Sequence, residues 1–115
     1  MEYDLLFTFI NKKDWKPFTE SGFFTPNSLD DIGYIKCFEG KYAELIANSN
    51  HSDSSQLLLL VIDPLRINEP IKKISEDKLE FYTIQGKFSI DAIIDRITLK
   101  KSNSGHFNIR IKHFD

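Results

Sequence analysis

Cys37 is the one cysteine in the chain and the first residue to weigh as a nucleophile. A thiol attacks as its thiolate, which needs a nearby histidine or another influence that depresses its pKa. No histidine is placed for it by spacing. In Gly33 to Phe38 (GYIKCF), read as a short strand, Cys37 alternates with Lys36 and points to the core, where it behaves as a small inert hydrophobe. His51, His106 and His113 lack metal-ligand spacing: one falls in a polar stretch and two on a terminal arm, an odd number of residues apart and so on opposite faces of a regular strand. The sequence has no Gly-rich phosphate loop, nucleophile elbow or C-x-x-C pair. Asp63-Pro64 reads as a turn in which the carboxylate caps the backbone. Lys72, Lys73, Lys100, Lys101 and Arg110 are the material for a nucleic-acid surface. The net charge is −2, however, and phosphate binding draws most of its affinity from a basic excess, so nucleic acid is not the expected partner.

These residues must be held by a fold, and the composition bounds it. A chain of 115 residues is the length of one domain, 1–115, able to bury about two-thirds of its unfolded surface without a disulfide or structural metal. Hydrophobic residues make up 41%, with ten Phe to fill a core, and the 28% charged residues argue against disorder. A lone cysteine fits a reducing compartment. The N-terminus shows no secretory pattern, and the longest apolar run, Leu57 to Ile62, is too short to span a bilayer. The expected location is the cytoplasm, with no membrane partner.

Asp4 to Ile10 (DLLFTFI) reads as a nearly continuous apolar strand of the central kind. Asn11 then caps a helix over Lys12 to Ser21, with Trp15 and Phe18 on one face, a kink or 3₁₀ stretch at Pro17, and Gly22 as its end. Phe23 to Asp31 carries turn chemistry. After the Gly33–Phe38 strand, Gly40 to Asn48 reads as a second helix that buries Tyr42, Leu45 and Ile46. Ser49 to Ser55 is a polar loop and Leu57 to Ile62 a buried strand. Two shorter strands follow, Ile71 to Ile74 and Lys78 to Ile84. The last element is a hairpin, Ile93 to Lys101 and His106 to Phe114, turning at Ser102-Asn103-Ser104-Gly105. The class is α+β.

Three segments carry a resemblance. Phe24 to Phe38 reads F-T-P-N-S-L-D-D-I-G-Y-I-K-C-F, Leu59 to Ile71 reads L-L-V-I-D-P-L-R-I-N-E-P-I, and Phe81 to Ile93 reads F-Y-T-I-Q-G-K-F-S-I-D-A-I. In order and spacing they resemble a family of small bacterial proteins of unknown function, the DUF952 family. Its members carry P-x-S-L-x-x-x-G-F-I-H-C-S, then L-L-x-I-D-P-x-x-L-x-x-P-V, then F-P-H-I-Y-G-P-L-P-L-D-A-V. Asp14-Trp15 also fits the family opening. The resemblance spans roughly 5–94 and leaves out the C-terminal hairpin, about 93–114.

The resemblance implies an ADP-ribosyltransferase-like fold: a split, curved antiparallel sheet with two short N-terminal helices and a cleft where active relatives hold NAD. Polar groups on the first strand, on the G-F-I-H-x-S strand and on a later strand would position the dinucleotide and stabilise developing charge. This chain departs from the family at those positions. Thr8 stands for the first-strand His or Lys, Lys36 and Phe38 for the His and Ser, Thr83 and Gln85 for the later His and Tyr. Gly33, Asp63, Pro64, Gly86, Asp91 and Ala92 are kept. The cleft candidates are therefore Thr8, Lys36, Phe38, Thr83 and Gln85, with Lys36 as a point charge for a phosphate and Phe38 narrowing the pocket. The expectation is a catalytically degenerate module that binds a protein partner or a nucleotide-like small ligand. The alternative is an atypical NAD-utilising transferase or hydrolase with Lys36 and Gln85 in new roles. The terminal hairpin, at a sheet edge, is the expected place for dimerisation or docking.

Overall fold

The structure is a computed structural model, and it describes residues 5–50 and 56–109. Its centre is β4 (Gln56–Ile62). Six consecutive apolar residues in extended backbone point alternately to both faces, so a sheet containing them must be covered on both sides. All six are 0–5% exposed. Leu57, Leu59 and Val61 join one cluster with Phe7, Phe38, Ala47 and Phe107. Leu58, Leu60 and Ile62 join another with Leu6, Ile35, Cys37 and Ile84.

β1 (Leu6–Asn11) runs antiparallel on one side of β4, from Leu6 opposite Ile62 to Asn11 opposite Leu57. β8 (Ile93–Lys100) runs on the other, with a register shift between Val61 and Ile62. A second antiparallel sheet has the order β3 (Ile35–Cys37), β6 (Leu79–Ile84), β5 (Ile71–Glu76). The two sheets meet at a single bridge, Phe7 to Phe38, closed by backbone hydrogen bonds of 2.9 and 2.8 Å. A short ribbon pairs β2 (Phe23–Phe24) with β7 (Phe88–Ser89). With α1 (Lys16–Ser21), α2 (Ser28–Asp31) and α3 (Ala43–Asn50), the chain is α+β with several antiparallel sheets. Among the described residues no helix is long and apolar enough to cross a membrane.

The stretch 12–21 breaks where Pro17 demands it. A 3₁₀ turn covers Lys12–Asp14 and α1 begins at Lys16, which puts Pro17 in the first turn, where a missing N–H breaks no helical bond. Gly22 ends the helix at φ 82°, its N–H donating to the Phe18 carbonyl at 2.8 Å. Asn11 has the extended backbone of a cap, but its side chain makes no cap hydrogen bond, contrary to expectation.

Three more expectations are corrected. Phe23 to Asp31 is more than a turn: Phe24 is buried against Phe88, giving β2, and the Asn27 carbonyl accepts from the N–H groups of Asp30 and Asp31, giving α2. Leu45 is 54% exposed, because α3 starts at Ala43 after a 3₁₀ turn and buries Ala43, Ile46 and Ala47 at i, i+3, i+4. The returning arm of the terminal hairpin is not a strand over residues 106–109, and the rest of it, 110–114, lies outside the described residues. The turn itself forms, with Gly105 at φ 85°. Asn48 then captures the chain. Its Nδ2 donates to the Phe107 carbonyl at 3.0 Å, and the Phe107 N–H donates to its Oδ1 at 2.8 Å. A helix side chain thus takes the bonds a strand would have made, and Phe107 sinks to 1% exposure.

The β5–β6 hairpin turns on Asp77 and Lys78, both left-handed at φ 52° and 68°, with Glu76 opposite Leu79. Such a two-residue turn favours Asp-Gly, and a lysine there carries the steric penalty of its Cβ. Lys78→Gly is expected to stabilise the protein by about 0.5–1 kcal/mol, part of the relief being offset by the unfolded-state freedom of glycine. The check is a higher urea midpoint at unchanged m-value.

Candidate functional site

Lys36 sits on β3 between the buried Ile35 and Cys37, so its side chain emerges on the opposite face from theirs. Thr83 on β6 lies directly across from it. The Lys36 ammonium is 2.6 Å from Glu76 Oε1 and 4.3 Å from the centre of the Phe81 ring. Its charge therefore already has a partner. Thr83 is 2% exposed; its hydroxyl donates to the Lys72 carbonyl at 3.2 Å and accepts from Gln85 Nε2 at 2.7 Å. Lys36, Thr83 and Gln85 thus share one side of the sheet. Phe38 shares it too, but as a core residue against the Phe9 ring, 5.2 Å away.

Thr8 does not join them. Phe7 enters the cluster beneath Lys36, so Thr8 turns to the other face. Its hydroxyl reaches the Lys36 backbone carbonyl at 3.1 Å, while the Lys36 side chain leaves on the far side. Tyr82 is likewise on the face away from Phe38, its hydroxyl 3.3 Å from Glu39 Oε1. Burial, then the Glu39 carboxylate, push its phenol above the usual value. Cys37 is fully buried, and that burial pushes its thiol far up, as its expected inward orientation requires. The lysine pair on β5 divides between the two faces, and Lys73 is held by Glu80 at 3.0 Å.

A cavity lies elsewhere. It has a volume of about 620 Å³ and lies between the end of β1, α1 and residues 25–27. β1 meets the end of the β3 segment at the Phe7–Phe38 bridge, and beyond it the end of β1 lines the cavity together with α1 and residues 25–27. Its apolar lining is Phe9, Ile10, Pro17, Phe18 and Pro26. The Phe18 ring is fixed edge-on between Trp15 (6.3 Å) and Phe24 (5.0 Å). Of the polar lining, the Ser21 hydroxyl is occupied by the Phe23 backbone at 3.1 and 3.2 Å. Asn11, which has an interaction of its own, and Lys13, Asp14, Thr25 and Asn27 also line it; the side chains of the last four make no hydrogen bond or ion pair among the described residues.

Sequence reasoning missed this cavity because it assigned Pro26 and Asn27 to a turn and Lys13 and Asp14 to a helix. One signal was present: Asp14-Trp15 and Pro26-Asn27-Ser28-Leu29, which fits P-x-S-L, belong to two separate stretches of the family pattern, and they reach the cavity through Asp14 and Pro26. A smaller recess of about 290 Å³ adjoins Lys36, walled by Leu45, Ile46, Leu79 and Phe81.

Comparison with known proteins agrees with the fold. The crystal structure of protein CC0527 from Caulobacter crescentus is 19% identical, covers 90% of this chain and 93% of that chain, and superposes with a TM-score of 0.78. A double-mutant form gives 0.77, and the solution NMR structure gives 0.71 at 16% identity, covering 89% of this chain and 90% of that chain. At such identities the likeness is one of fold alone. No curated protein matches the chain. Residues 9–96 match the family described as protein of unknown function (DUF952), so the match ends inside β8, before Phe107 and its clamp. The chain belongs to the DUF952 family.

Proposed function

We propose that this chain is an ADP-ribosyltransferase-like domain that no longer carries transfer chemistry and works as a binding module, taking a small ligand into the cavity between β1, α1 and residues 25–27. The observation that carries this reading is the convergence of two separate family segments on one cavity, with four lining residues, Lys13, Asp14, Thr25 and Asn27, whose side chains make no hydrogen bond or ion pair among the described residues. A volume of about 620 Å³ is in the range of small-molecule sites, and its lining combines apolar and aromatic residues with polar ones that can orient a ligand. Burial against Phe9 and Phe18 supplies affinity, and the rim sets orientation.

The loss of chemistry rests on where the substituted residues point. Transfer from a dinucleotide needs preorganised donors and a charge aimed at the reacting centre. The Lys36 ammonium is taken by Glu76, and the hydroxyls of Thr8 and Thr83 donate to strand carbonyls. None of these three lines the cavity.

Two measurements test the reading together. Isotope-labelled protein screened by NMR against ring-bearing fragments is expected to shift the amides of Asn11, Thr25 and Asn27, and protein incubated with NAD is expected to release no nicotinamide. Fragment shifts centred on Lys36 and Thr83, or nicotinamide release that Lys36→Ala abolishes, would overturn it.

A further inference from the structure

The charges at the rim of the cavity narrow its ligand, given that the cavity is the binding site. Lys13 and Asp14 are consecutive in the 3₁₀ turn Lys12–Asp14, so their Cα atoms are about 3.8 Å apart. Both residues line the cavity, both are exposed, and neither makes an ion pair with the other or with any other described residue. One basic and one acidic residue, unpaired with each other, thus line a cavity whose apolar lining is Phe9, Ile10, Pro17, Phe18 and Pro26.

We infer that the cavity takes a zwitterion carrying an aromatic ring, of the class of an aromatic amino acid or a short peptide bearing one. A multiply charged anion finds one lysine and one repelling carboxylate in the lining, and a cation finds the converse. A dipolar ligand satisfies both charges: its ammonium faces Asp14, its carboxylate faces Lys13, and its ring packs against the apolar lining. Thr25 and Asn27, also in the lining, offer a hydroxyl and an amide to further polar groups of a ligand longer than one residue.

The test is an NMR titration of the labelled full chain with L-tryptophan, L-tryptophanamide (cationic), N-acetyl-L-tryptophan (anionic) and adenosine (uncharged). L-tryptophan is expected to shift the amides of Lys13, Asp14, Thr25 and Asn27. Capping either end of it is expected to weaken binding about fivefold, the ratio for one exposed charge pair. Lys13→Ala should weaken L-tryptophan and the acetyl derivative but not the amide. Asp14→Asn should weaken L-tryptophan and the amide but not the acetyl derivative. Both substitutions are at exposed positions, and unchanged spectra away from the cavity verify the fold. Adenosine or a capped derivative binding in the cavity as tightly as L-tryptophan overturns the zwitterion and leaves the cavity standing. No shift at the cavity with any of the four probes overturns the zwitterion, and the fragment screen then decides whether the cavity is a site at all.

Discussion

Phe107→Ala is expected to lower the unfolding free energy by about 3–5 kcal/mol, the range for removing a buried phenylalanine ring. The residue is 1% exposed and belongs to the cluster that also holds Leu57, Leu59 and Phe7. Its backbone is held at both ends by one amide, Asn48, so the ring has no nearby alternative seat. Replacing that amide by Asn48→Ala leaves a backbone donor and acceptor without their partners and is expected to destabilise by about 1–3 kcal/mol. In the double variant the two losses should fall short of their sum, since both act on one docking event. Urea unfolding of the four proteins measures this. A Phe107→Ala loss below about 1 kcal/mol would show that the segment after β8 rests on the body without being part of its core.

Leu60→Ala is the second large effect, about 2–5 kcal/mol. Leu60 is fully buried in the other cluster, directly between Thr8 on β1 and Arg96 on β8. Both neighbouring strands are fixed by long ladders, which leaves little freedom to collapse into the vacated volume. The control is Leu45→Ala, at 54% exposure, which should change stability by no more than about 0.5 kcal/mol. Urea midpoints decide it: equal losses at the two positions would contradict the placement of β4 at the centre.

β4 was legible because six apolar residues in a row, bounded by a polar stretch and Asp-Pro, admit little but a strand buried on both faces. The break near Pro17, the stop at Gly22 and the Asp63 cap, which accepts from the Leu65 N–H at 3.0 Å, were legible for the same reason: each is decided by the residue itself. Leu45 was misplaced because the phase of a helical stripe depends on where the helix begins, and the preceding 3₁₀ turn hides that. β2 and α2 were missed because Pro26, Asn27 and Ser28 speak for a turn and for the start of a short helix equally well.

The site was harder still. Alternation within a strand tells which neighbours share a face, but the relative phase of two strands is set by their register. The Phe7–Phe38 bridge places Phe38 and Lys36 with Phe7, and so parts Thr8 from Lys36. Phe107 depends on a partner 59 residues away, and the cavity on three segments that meet only in space.

The placement of Phe107 also sets a timetable for a nascent chain. Fifty residues separate Leu57 from Phe107, so at about 5–20 residues per second β4 leaves the ribosome about 2.5–10 s before the ring that completes its cluster. β1 is already available to pair with it, but β8 is not. Until β8 has been made, one edge of the buried apolar strand β4 is open to any other strand that reaches it, which makes the half-translated chain, more than the finished one, the species a chaperone has to shield.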